Sequence, residues 1–83
     1  MVFTKLNAAI ENASVALLQG KEGEANELLS DVYDELLIIS STLPGSRIES
    51  LQPVMDVILK AQQDRDYVYL VDILKYQLLG FLQ

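Results

Sequence analysis

Glu27, Asp31 and Asp34 follow one another at steps of four and three, a spacing that sets three carboxylates on one side of a helix, where they could gather a divalent cation. A di-metal site in a helical bundle draws on Glu-x-x-His pairs, and this chain has no His and no Cys. With Glu22, Glu24 and Glu35, the three carboxylates read instead as the solvated outer side of one acidic helix. Acid–base catalysis needs titratable groups in a dry pocket, which such a face does not provide. Asp64-Arg65-Asp66 is too short for a calcium loop and reads as a turn followed by a helix cap. Gly20-Lys21-Glu22-Gly23 lacks the spacing of a phosphate-binding or dinucleotide loop. Ser40, Ser41 and Thr42 have no base beside them in sequence, and hydroxyls at a helix end are usually caps or solvent-facing. No catalytic residue, cofactor-binding residue or metal ligand is assigned, and the chain is expected not to be an enzyme.

The absence of Cys, His and Trp removes disulfides, thiol chemistry, imidazole catalysis and the common zinc sites. With 83 residues, 51% apolar and 22% charged, the chain reads as one small globular domain spanning 1–83. Its net charge of −6 is uneven: residues 1–41 hold two cations and seven carboxylates, residues 42–83 four and five. The six cations are scattered, so neither nucleic acid nor an anionic membrane is an expected partner. The longest uncharged stretch, 36–46, is far short of the ~20 apolar residues of a membrane span. Glu11 interrupts what a signal peptide would need as an apolar run, and a cytoplasmic location is expected.

Hydrophobic spacing predicts four helices. Phe3, Leu6, Ala9, Ala13, Ala16 and Leu17 define the first, over about 4–19, with Thr4 as its cap and Gly20 as its stop. Ala25, Leu29, Val32, Leu36, Ile39 and Leu43 form a heptad-like seam for the second, which Glu22, Glu24 and Glu27 favour at its positive end and Pro44-Gly45 terminates. Ser46 and Glu49 suggest a capping box for the third, in which Pro53 predicts either a kink or a true start near Ser50. Asp66 caps the fourth, with Tyr67, Leu70, Val71, Leu74, Leu78 and Phe81 turned inward.

A shift of 42 residues lays one half over the other, placing Thr4 on Ser46, Leu28 on Leu70, Val32 on Leu74 and Leu36 on Leu78. The expected fold is therefore all-α: an antiparallel four-helix bundle built from two helical hairpins, about 4–43 and about 46–82. A two-repeat solenoid is the less favoured architecture, because solenoids generally need about three repeats for stability.

The fourth helix is apolar on more than one face. At 100° per residue, Tyr69, Ile73, Tyr76 and Leu79 point away from the core face, with Asp72 among them. A small domain buries only ~60% of its unfolded surface, so a second apolar face calls for another partner. Tyr69, Asp72, Ile73, Tyr76 and Leu79 are accordingly the candidate interface.

The segment from Asp66 to Leu78, DYVYLVDILKYQL, resembles a C-terminal helix of the form DY-x-x-L-x-D-x-L-x-Y-x-L found in short uncharacterised bacterial helical proteins. In type, as an acidic, Cys-free helical chain, the protein is also similar to the small chaperones of flagellar export, which hold an amphipathic segment of a secretion substrate. That likeness implies a chaperone or adaptor role and carries no functional residue across. The expectation is a bacterial protein–protein interaction module that forms a homodimer or grips an amphipathic partner helix. The competing expectation is a small-molecule-binding bundle or an enzyme, with its ligand near Tyr33 and Tyr67.

Overall fold

The computed structural model describes residues 3–82, and among them the fold is all-α, with four helices and no strand. These pair as two helical hairpins, and the contacts divide the chain into two units that meet between Thr42 and Leu43.

In the first unit, α1 (Thr4–Leu18) packs on α2 (Glu22–Ser40). Leu6, Ile10, Ala13 and Leu17 of α1 and Ala25, Leu29, Val32 and Leu36 of α2 are buried, which is the apolar spacing of the sequence turned into a core. Thr4 does not cap α1: Phe3 holds the N-cap position without a side-chain bond, and Thr4 is the first helical residue. Gly20 does end it, in the left-handed conformation at φ 73° that glycine adopts without steric cost. The Gly20 amide donates to the Leu17 carbonyl at 3.2 Å and the Lys21 amide to the Ala16 carbonyl at 3.0 Å, the paired bonds of a Schellman turn.

Helix α2 stops earlier than its seam suggests, leaving Leu43 outside any helix. Leu43 precedes Pro44, which disfavours helical backbone there, and a run of three hydroxyls caps the end. Ser40 Oγ donates to Leu37 O at 3.0 Å, Ser41 Oγ to Ile38 O at 2.6 Å and Thr42 Oγ1 to Ile39 O at 2.7 Å, adding to the amide bonds that Leu37 O and Ile39 O already accept from Ser41 and Thr42. Glu22 and Glu24 stand in the first turn of α2, and Glu27 lies one turn further in.

In the second unit, α3 (Gly45–Gln63) precedes a fourth helix, α4, which is α-helical over Tyr67–Asp72, π-helical over Ile73–Leu78 and α-helical again over Leu79–Leu82. Two sequence expectations fail in α3. The capping box at Ser46 and Glu49 does not form, because Pro44, extended at ψ 156°, takes the N-cap position and its carbonyl accepts from the Arg47 and Ile48 amides. A start near Ser50 is likewise excluded, since the helix runs unbroken through Pro53. An interior proline costs about 3 kcal/mol, so the apolar contacts of Leu51, Ile58 and Ala61 must outweigh it. Arg65 then takes the left-handed position at φ 57°, with its amide bonded to Gln62 O and that of Asp66 to Ala61 O. This is the Schellman geometry of Gly20 built on a non-glycine residue. Asp66 caps α4 as its position predicts, accepting from the Tyr69 amide at 3.4 Å.

These matched turns correct the internal register. Gly20 corresponds to Arg65 and Lys21 to Asp66, a shift of 45 rather than 42. At that shift buried Leu6 meets Leu51, Ala13 meets Ile58, Ala16 meets Ala61, Ala25 meets Leu70 and Leu29 meets Leu74. Beyond Leu74 the shift becomes 46, aligning Val32 with Leu78 and Leu36 with Leu82. The one-residue change falls within the π-helical segment, where each turn takes up about one extra residue.

Candidate functional site

The π segment decides which side chains α4 presents. Leu70, Leu74, Leu78 and Leu82 are spaced by four and all are buried. In an unbroken α-helix a step of four overshoots one turn by about 40°, so the row would drift out of the core. Wider π turns hold it in register.

Ile73 is therefore not part of an exposed face. It is 0% exposed, buried beside Leu74, and the assumption of 100° per residue misplaced it. The other four candidate interface residues divide by exposure: Asp72 is exposed, Tyr69 is 45% exposed, Tyr76 is 73% exposed, and Leu79 is half-buried. Val68, at 65%, joins them, a residue that the α-helical projection left out. The exposed apolar and aromatic surface of α4 thus comprises Val68, Tyr69 and Tyr76, flanked by Asp72 and edged by Leu79. Lys75, the residue before Tyr76, is half-buried.

Tyr69 also lines an open groove of about 400 Å³ between the C-terminal half of α3 and the start of α4. Buried Ala61 and half-buried Val57 supply its apolar part, and the exposed side chains of Asp56, Lys60, Asp64 and Asp66 its charged part. Lys60 Nζ lies 3.1 Å from Asp64 Oδ2, and Asp56 Oδ1 accepts from Gln52 Nε2 at 3.2 Å. The spacing of Asp56, Lys60 and Asp64 by four was legible in sequence as one helix face. Its neighbourhood with Tyr69 was not.

The first unit carries two further open grooves, each of about 370 Å³, one beside Ile38 and Ile39 and the other beside Val15 and Leu28. None of the three is lined by Tyr33 or Tyr67, the positions around which a ligand was expected. Burial pushes the Tyr33 hydroxyl above its ordinary pKa of 10.0. Among the described residues no group of three or more acidic, His or Cys side chains is placed to hold a metal ion, so Glu27, Asp31 and Asp34 do not form such a centre. Among the same residues no helix is long and apolar enough to cross a membrane.

The family model described as a domain of unknown function, DUF8042, matches residues 2–83. No curated protein and no solved structure matches the chain.

Proposed function

The chain belongs to the DUF8042 family of domains of unknown function, and from its geometry we propose that it is a non-enzymatic bacterial protein–protein interaction module acting in the cytoplasm. The observation that carries this reading is the outward placement of Val68, Tyr69 and Tyr76 on one helix, at 65%, 45% and 73% exposure. Tyrosine suits such a surface because its ring gives rigid apolar contact area while its hydroxyl stays hydrated or finds a partner. In the absence of another partner the module self-associates, most simply as a two-fold dimer. Extension to a chaperone or adaptor of the flagellar or secretion type rests on analogy of helical type.

The test is the double variant Tyr69→Asp, Tyr76→Asp, followed by circular dichroism and light scattering. Two carboxylates forced into a desolvated contact cost far more than the same groups in water. Retained helicity with a halved mass is the expected result. A mass that does not change, or a parent that is monomeric up to millimolar concentration, overturns self-association through this face.

A further inference from the structure

Resting on the interaction reading above, we infer that the groove between α3 and α4 receives a basic amphipathic segment of another protein, with an apolar side chain seated against Val57, Ala61 and Tyr69 and its cations against the aspartates around them. Three carboxylates, Asp56, Asp64 and Asp66, and one ammonium, Lys60, line the groove, so its formal charge is negative by two. Lys60 is already engaged by Asp64 at 3.1 Å, and Arg65, although next in sequence, is not a lining residue. The surplus negative charge therefore rests with Asp56, which accepts from the Gln52 side-chain amide, and Asp66, which caps α4, in one lining with the apolar Val57 and Ala61 and the half-exposed Tyr69. An incoming Lys or Arg gains attraction there, whereas an incoming acid meets like charge. The whole chain, at net −6, draws the same kind of partner from longer range.

The form of the groove points to a side chain on a helix rather than a free small molecule. Its volume of about 400 Å³ is at the low end for ligand sites, and it is open along its length, whereas such sites enclose ~70–90% of their ligand. An open groove floored by apolar side chains takes one or two anchors from an amphipathic helix. A second copy of this chain is a poor occupant, because its six cations are scattered and none sits within a basic amphipathic face.

The probe is a fluorescein-labelled 16-residue synthetic helix with leucines at i, i+4 and i+7 flanked by lysines, measured by anisotropy against the same peptide with every lysine replaced by glutamate. The lysine peptide is expected to bind at least ten-fold tighter than the glutamate peptide and to weaken as salt rises. Asp56→Lys and Tyr69→Ala are each expected to cost about ten-fold in affinity, and Glu27→Lys, the same charge change on α2, less than two-fold. Amide shifts on titration should centre on Val57, Ala61 and Tyr69. Equal binding of the two peptides, or equal loss in Glu27→Lys and Asp56→Lys, overturns the proposal. If the lysine peptide fails while Tyr69→Asp, Tyr76→Asp still halves the mass, the basic partner is wrong and the interaction module stands. If the peptide binds in the groove while that variant leaves the mass unchanged, the groove stands and self-association fails.

Discussion

The guanidinium carbon of Arg47 lies 4.6 Å above the ring centre of Phe81, and Nη2 of the same residue donates to the Phe81 carbonyl oxygen at 2.6 Å. One side chain from the first turn of α3 thus meets Phe81 of α4 twice, once through the ring face and once through the main-chain carbonyl, which accepts from it. A cation at a helix C-terminus also opposes the negative end of the helix dipole. The contact is exposed, so water and salt reduce its worth. Arg47→Ala is expected to destabilise the second unit by about 1 to 1.5 kcal/mol, and Phe81→Leu, which spares the carbonyl bond, by about half as much. Urea titration of the two variants beside the parent checks the order; equal stability of all three would show the clasp to be energetically idle.

Two positions on α4, three residues apart, should answer very differently to truncation. Ile73→Ala opens a cavity at a fully buried site and is expected to cost roughly 2 to 5 kcal/mol. Tyr76→Ala, at a site 73% exposed, should stay within about 0.5 kcal/mol of the parent when the chain is dilute. Thermal melts at low concentration measure both. A mild Ile73→Ala would return that residue to the surface and dispose of the π-helical register.

The two Schellman turns offer a paired experiment. Beyond its chain neighbours, no atom of the described residues lies within 4 Å of where a Cβ on Gly20 would sit, so Gly20→Ala should destabilise through its left-handed backbone, by about 1 kcal/mol. Arg65 holds the equivalent conformation at φ 57°, and Arg65→Gly should gain up to about 1 kcal/mol as that backbone cost is relieved. Differential scanning calorimetry should move the two melting temperatures in opposite directions.

Ser14 is a buried hydroxyl on α1 whose Oγ has no hydrogen-bond partner among the described residues. Leaving a hydroxyl dry and unbonded costs about 1 to 3 kcal/mol on protein scales. Ser14→Ala removes that cost with little change in volume and is expected to raise stability by about 1 kcal/mol in denaturant titration. A loss instead would reveal a bond made by Ser14 in solution.

Alkaline pH should single out Tyr33. Burial favours its neutral form, raising the folded-state pKa above 10.0, so the unfolded chain releases this proton first as pH climbs. Its contribution is complete below about pH 10 and is lost as pH rises through the higher folded value. Stability curves between pH 8 and 11 should fall less steeply for Tyr33→Phe than for the parent.

Local chemistry was enough to read the four helices, the stop at Gly20 and the cap at Asp66, because each depends on a few neighbouring residues and a regular apolar period. The hydroxyls of Ser40, Ser41 and Thr42 were legible only as caps or solvent-facing groups, and how early α2 ends was not legible. What the tertiary structure decided depends on residues far apart in the chain. Arg47 and Phe81 are 34 positions apart, and no local pattern pairs them. Pro53 should interrupt a helix by its own preference, yet α3 continues because the burial of Leu51, Ile58 and Ala61 outweighs the lost backbone bond. Ile73 was assigned outward on the premise of a constant 100° per residue. Packing instead gathers Leu70, Leu74, Leu78 and Leu82 on one buried row, and the backbone accommodates their four-residue spacing with a π-helical turn. The leucine spacing was written in the sequence all along; only the requirement to bury the whole row determined that the helix, rather than the row, would give way.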